Sequence, residues 1–399
     1  MIIRFVVENY NSFKGQQVFS MVAGKQTRHP DHCFGVNGKR LLKSSFFFGA
    51  NASGKSNFVR ALDFMRRVTL MGTGAVRYND RFFRIDPMCK EKPGVFQIDF
   101  IAEQTFFSYG FAMNYLTHEI CAEWLYRFDS PEKEICIFER EQGKQITTGL
   151  RLDKNSELRF NIYCDDLKAN DLLLNEVGNK KIDEDSNLHD FIAAYEWFKK
   201  LIVVYPDSHA RNKNDFFLNP ASNTDAMIDM LRVFDTGIEE ITKGKQLAEK
   251  AFSFLPDEIK KDVLNSLEQT MRNESPDKAR CKIEIGDYQF EISIEDGEII
   301  AEKILLDHGN PAELFELSDE SDGTKRLFDL IPLYEFGQKG KIIIVDELDR
   351  SFHSKLTEEY IRRFFEITKE KPCQLICTTH DLNLMDLRIL RQDEIWFIE

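Results

Sequence analysis

The sequence lacks any apolar run near the roughly 20 residues that a helix needs to cross a bilayer. A membrane partner is therefore not expected for its 399 residues. It also lacks a basic leader followed by a small-residue cleavage site. Met1-Ile-Ile-Arg-Phe-Val-Val-Glu8 reads instead as a strand, so no secretory signal is expected. Eight cysteines are present (33, 89, 121, 136, 164, 281, 373 and 377), yet no two stand in C-x-x-C spacing. That excludes a zinc ribbon and favours free thiols in a reducing compartment over a disulfide frame. The expected location is the cytoplasm.

Positive charge is scarce. Lys and Arg number 53 against 67 Asp and Glu, a formal net charge of −14. Bulk charge thus gives no support for nonspecific DNA binding, which needs a positive surface to displace phosphate counterions. Arg66-Arg67, Lys199-Lys200 and Arg362-Arg363 could still form local nucleic-acid contacts, or be solvated helix faces. Sustained heptads are missing, and Pro206, Pro220 and Pro256 interrupt the middle of the chain, which excludes a long coiled coil. His29, His32 and Cys33 fall close together and could ligate a metal, although a polar loop explains them equally well.

What is present is an alternation of β-rich and helical stretches. Residues 1–8, 16–22 and 44–48 read as strands, with a helix from about Gly54 to Leu70 and several short strands between 81 and 160. A helical stretch follows from 166 to 274, broken by the apolar strand Leu201-Ile-Val-Val-Tyr205. Hairpins are expected near 280–306, then helix 322–336, strand 341–345, helix 354–368 and strands 374–378 and 394–398. The organisation predicted is an N-terminal lobe 1–165, a helical insertion lobe 166–280 and a C-terminal lobe 281–399.

The strongest motif is Gly49-Ala-Asn51-Ala52-Ser53-Gly54-Lys55-Ser56, a full match to G-x-x-x-x-G-K-[ST] between an apolar strand and an amphipathic helix. The two glycines let the backbone curl so that successive N–H groups and the helix N-terminus face phosphates. Lys55 is placed to reach the β- and γ-phosphates of ATP, Ser56 to ligate Mg2+, and Asn57 follows directly. Lys341-Ile-Ile-Ile-Val-Asp346-Glu347 is a continuous β-branched run ending in two carboxylates, as a parallel strand buried on both faces does. Asp346 suits the magnesium shell and Glu347 the general base for an attacking water. A further strand, Gln374–Thr378, runs into Thr379-His380-Asp381, where His380 can meet the γ-phosphate. Between these motifs Glu320-Ser321-Asp-Gly323-Thr324 opens a helix. On helix chemistry alone Ser321 is an ordinary N-cap.

The ordered set resembles the ABC-ATPase superfamily. More narrowly it is similar to the soluble, SMC-related ATPases of the OLD and RloA/AbiL type found in bacterial defence and DNA repair. Phe5-Val-Val-Glu-Asn9-Tyr-Asn-Ser12-Phe13, the phosphate loop through Asn57 and the Glu320–Leu327 segment carry the likeness, over roughly 1–70 and 315–399. The resemblance implies an α/β ABC-ATPase head (a P-loop NTPase) with an antiparallel β-subdomain and a helical insertion lobe. It also implies a homodimer that sandwiches ATP, with Ser321 and Gly323 of one subunit completing the site of the other. Glu320-Ser-Asp-Gly-Thr324 stands where transporters carry Leu-Ser-Gly-Gly-Gln, which speaks against a transporter subunit. His353 takes the position of the transporter D-loop aspartate, whereas Asp349 is similar to the third acidic residue of SMC-type Asp-Glu-x-Asp. No Q-loop glutamine stands out between Gln97 and Gln104.

Two functional expectations follow. One is an ATPase sensor of an anti-phage system. It would control a separate effector, a nuclease or toxin, because OLD proteins continue into a Toprim nuclease and this chain carries no such cluster. The other is an ATP-gated DNA clamp or repair ATPase.

Overall fold

Residues 342–345, the β-branched run, lie at the heart of a five-stranded parallel sheet, and all four are buried. The protein is described here from a computed structural model covering residues 1–76, 80–130, 133–184, 186–206, 224–272, 280–285 and 288–399. The sheet order is Leu201–Val204, Ile342–Val345, Gln374–Thr378, Ser44–Phe48 and Ile395–Phe397. Ile344 pairs with Val203 on one side and Ile376 on the other. The phosphate-loop strand and the acidic strand are therefore separated by one strand, and both deliver their motifs at the same carboxyl edge, where open α/β sheets bind ligands.

A second sheet, six-stranded and antiparallel, runs Gln17–Ser20, Ile2–Glu8, Gly94–Ala102, Thr105–Met113, Ile120–Ser130 and Lys133–Glu141. Phe96, Ile98 and Phe100 alternate inward along one strand, and Phe107, Tyr109 and Phe111 are buried on the next. Helix Lys55–Met71 is packed by both sheets. The Phe58 ring lies 4.2 Å from Phe47 of the parallel sheet and 5.8 Å from Phe5 of the antiparallel one. The 34 phenylalanines are in good part this core, each fully buried ring contributing about 2 kcal/mol of transfer free energy.

The chain divides into two units at other points than its sequence predicts. One comprises residues 1–206, 334–349 and 353–399, the other 207–333 and 350–352. The expected boundary at 165/166 fails because the helices that follow bury their apolar faces in the first unit's core. Trp197 of helix His189–Phe198 stacks on Phe100 at 4.2 Å, and Asn175 Nδ2 donates to the carbonyl of Thr69 at 2.8 Å. Leu201–Val204 is the outer strand of the parallel sheet. The boundary at 280/281 fails because the hairpins beyond it complete a sheet begun before it.

That sheet, in the second unit, runs Glu240–Leu247, Glu298–Asp307, Tyr288–Glu295 and Arg280–Ile285, with Phe315–Glu316 also paired to the second of these. Helices Ala248–Ala251 and Asp257–Arg272 share its core around Phe252, Leu267, Phe290 and Ile292. The lobe expected to be helical is thus mixed α and β. The strand Glu240–Leu247 was hidden because Lys243 and Lys245 give it the charged pattern of a protected edge. Helix 322–336 is in fact two, Asp322–Leu330 and Pro332–Gln338, since Pro332 lacks the N–H that would continue the first. The hairpin Cys33–Val36 and Lys39–Leu42 was also unexpected. Among the described residues no helix is long and apolar enough to cross a membrane. The architecture is α/β, with a five-stranded parallel sheet and a six-stranded antiparallel sheet packed on helix Lys55–Met71 in the first unit.

Candidate functional site

The phosphate loop is shaped by close approaches that only glycine permits. A Cβ on Gly49 would lie 2.4 Å from the carbonyl oxygen of Ile398, just past the neighbouring strand. One on Gly54 would lie 2.5 Å from Ser12 Oγ, and Gly54 has φ 109°, a region side chains disfavour. Ala52 also takes a left-handed backbone at φ 65°. Asn57 at the start of the helix donates to Ser12 Oγ at 3.0 Å and accepts from Asn11 Nδ2 at 3.3 Å. The Asn9–Phe13 segment is in this way a buttress of the loop. It is anchored in turn by Asn9 Nδ2, which donates to the carbonyls of Cys89 and Lys92 at 2.8 and 2.9 Å.

Lys55 Nζ donates to the carbonyls of Gly49 and Ala50 at 2.7 and 3.0 Å. Burial pushes its ammonium below the ordinary lysine value, and the carboxylates of Glu347, Asp346 and Asp349 oppose that shift. Asp346 is 2 % exposed, and its Oδ1 accepts from the Thr378 hydroxyl at 2.6 Å. The same hydroxyl accepts the Glu347 N–H at 2.8 Å. One side chain on the neighbouring strand therefore fixes both members of the acidic pair. Glu347 itself has φ 52°, an uncommon conformation of the kind that clusters at functional sites. His380 Nε2 lies 3.7 Å from Glu347 Oε1, and its backbone N–H donates to both oxygens of Asp349 at 3.2 Å.

A cleft of about 790 Å³ is lined by Asn51, Ala52, Ser53, Gly54, Lys55, Ser56, Asn57, Arg60, Glu347 and His380. That volume is in the range of sites for nucleotide-sized ligands. Ser53 Oγ is buried there with no hydrogen-bond partner among the described residues. An orphan donor on a basic, N–H-rich loop fits a phosphate oxygen. Ser56 on the cleft wall and the buried Asp346 behind Glu347 are oxygen donors of the kind magnesium selects. ATP and Mg2+ thus suit the residues present.

The other expected residues fall elsewhere. Ser321 and Gly323 belong to the second unit. There Ser321 caps helix Asp322–Leu330, its Oγ accepting the Thr324 N–H at 3.2 Å. His353 is likewise a cap, with Nδ1 accepting from the Leu356 N–H at 3.2 Å. Gln97 donates to Asp99 and Ser108 within the antiparallel sheet, Gln104 occupies a turn at φ 64°, and neither lines the cleft. Arg66, Lys199, Arg362 and Arg363 pair with carboxylates on their own helices, as solvated faces do. Thr378 and Arg60 were not singled out from sequence. A threonine ending the strand beside an acidic pair, and an arginine five residues into the loop's helix, were the signals available.

A family profile described as "AAA domain, putative AbiEii toxin, Type IV TA system" matches residues 44–386, which span every motif of this cleft. The chain belongs to this AAA family. No curated protein matches it. Among solved structures the AAA chain is similar to an SMC head crystallised bound to the C-terminal winged-helix domain of ScpA, at 14 % identity and a TM-score of 0.41, over 96 % of this chain and 91 % of that one. It is also similar to an SMC head domain from Thermotoga maritima, at 12 % identity and a TM-score of 0.35, over 97 % and 91 %.

Proposed function

We propose that this AAA protein binds ATP with Mg2+ in the cleft and hydrolyses it, pairs with a second copy of itself around the nucleotide, and serves as the sensor of an anti-phage system. The observation that carries the first part is Thr378 fixing Asp346 and Glu347 while Glu347 and His380 share one cleft with Lys55 and Ser56. In this reading the loop from Asn51 to Asn57 cradles the phosphates and Lys55 neutralises the terminal ones. Ser56 and Asp346 hold the magnesium, which supplies charge stabilisation to the β- and γ-oxygens when bound. Glu347 takes the proton of a water in line with the γ-phosphorus, and His380 donates toward the charge that develops on the phosphoryl oxygens. Ser321 and Gly323 of the second copy complete each site, which gives the helix start a role beyond capping.

Glu347→Gln tests the assignment. It keeps the shape of the pair but removes the base, so ATP should still bind while turnover slows at least ~100-fold. Near-normal turnover removes Glu347 from that role. The sensor reading is supported by the family's description as part of a toxin system, and it calls for an effector, a nuclease or toxin, on another chain. Mass spectrometry of what co-purifies with ATP-trapped Glu347→Gln protein, expressed with its neighbouring genes, should find a stoichiometric second protein. Recovery of a homodimer carrying only DNA would replace the sensor with a clamp.

A further inference from the structure

At the opposite, amino-terminal edge of the parallel sheet, His29, Asp31 and His32 bring one ligating atom each within 4.8 Å of one another. Asp31 stands here where the sequence had pointed to Cys33. The two rings stack at 4.7 Å, and His32 is in turn stacked on Phe365, which fixes its plane. His29 takes a left-handed backbone (φ 46°) ahead of Pro30, a turn that sets its ring beside the second histidine.

Each ring has one nitrogen already engaged. His29 Nε2 lies 3.0 Å from the carbonyl oxygen of Leu387, which can only accept, so that nitrogen carries the proton and Nδ1 keeps its lone pair. His32 Nδ1 lies 3.1 Å from both oxygens of Glu394, a carboxylate with no exposed surface, which leaves Nε2 as the lone-pair nitrogen. A carbonyl or carboxylate behind each imidazole is the outer shell that orients metal-bound histidines and raises their basicity. Glu394 is itself held, by the Ser44 hydroxyl at 2.8 Å and the Arg391 N–H at 2.6 Å. A salt-bridged histidine pair alone would need neither the exposed carboxylate of Asp31 nor the second oriented ring.

We propose that His29, Asp31 and His32 form a site for a divalent transition ion of the zinc class, separate from the magnesium of the nucleotide cleft. Two imidazoles and a carboxylate select zinc-like ions over magnesium, and three protein donors leave a fourth position for water. The ion ties the 29–32 turn to Glu394 and, through Ser44, to the first residue of the phosphate-loop strand.

The test uses the full-length, nucleotide-free protein titrated with Zn2+, and with Co2+ as a visible reporter. Wild type should take up one ion per chain, with a rise in Tm of a few degrees at saturating zinc and a ligand-field band with cobalt. His29→Ala and Asp31→Asn alter a part-exposed and an exposed residue, so folding is not at stake, and each should weaken binding at least ~10-fold. Asp346→Asn should bind as wild type does. No uptake by wild type, uptake unchanged in His29→Ala and Asp31→Asn, or uptake lost in Asp346→Asn would each overturn the proposal.

Discussion

The two ends of the strand Ser44–Phe48 are built on opposite principles. At its beginning Lys43, Ser44 and Gln374 each have internal partners, and among the described residues only the buried Ser45 hydroxyl beside them has none. Ser44 donates to Glu394 at 2.8 Å, and Lys43 Nζ donates to the carbonyls of Thr368 (2.9 Å) and Lys369 (2.5 Å). Gln374 on the next strand exchanges bonds with both backbone groups of Ile2, at 2.7 and 2.9 Å. At its far end the chain enters left-handed conformations at Ala52 and Gly54, Glu347 takes another nearby, and Ser53 Oγ has no hydrogen-bond partner among the described residues. One end satisfies its buried charged and amide groups and adds stability. The other holds strained backbone and unpaired donors in place for a ligand, which is tolerated because its surroundings are over-determined.

Substitutions at the two ends should separate activity from stability. The largest effect belongs to the open end: Lys55→Ala should abolish nucleotide binding by calorimetry, with an unchanged Tm. Gln374→Leu, at the closed end, strands the N–H and carbonyl of Ile2 and should cost about 2–4 kcal/mol in denaturant unfolding, with ATP turnover within about twofold of wild type at a permissive temperature. A large drop in turnover there would break the comparison. Thr378→Val sharpens it, because that hydroxyl belongs to the acidic pair: turnover should fall roughly 10- to 100-fold, the worth of hydrogen bonds to charged groups.

The smallest effect concerns a buried carboxylate far from either end. Glu123 accepts the N–H groups of Leu173 and Leu174 at 2.7 and 3.1 Å and the Tyr109 hydroxyl at 3.0 Å. Burial lifts its carboxyl from 4.5 to about 7, against those donors and Arg140. The folded state then holds a proton that the unfolded chain releases, so this group's contribution is fully present below pH 4.5 and fades as pH rises to about 7. The fall in Tm across that window should be shallower in Glu123→Gln. A slope identical to wild type would show that the carboxylate is ionised throughout.

The parts of this structure legible in the sequence were those in which one residue type permits one local geometry. Gly49 and Gly54 are required by contacts at 2.4 and 2.5 Å, and the run Ile342–Val345 can only be buried on both faces. The parts that were not legible depend on partners distant in sequence. Lys243 and Lys245 disguise a strand whose identity comes from pairing with residues 298–307. Helix His189–Phe198 belongs with the first unit through partners far back in the chain, among them Phe100, almost a hundred positions earlier, on which Trp197 stacks, and Phe138, on which Phe191 stacks. Thr378 looks like any strand end until its hydroxyl is seen between Asp346 and Glu347. Three unrelated stretches, moreover, supply the ring and backbone partners of His29 and His32.

The wall that Ile398 gives to Gly49 also has a consequence in time. Ile398 follows the loop by about 350 residues, and at synthesis rates of roughly 5–20 residues per second it emerges some tens of seconds later. Its N–H closes onto the Phe48 carbonyl at 2.9 Å, beside the loop itself. Through that interval the nascent chain carries a phosphate-loop sequence whose rim lacks the wall that Ile398 gives to Gly49.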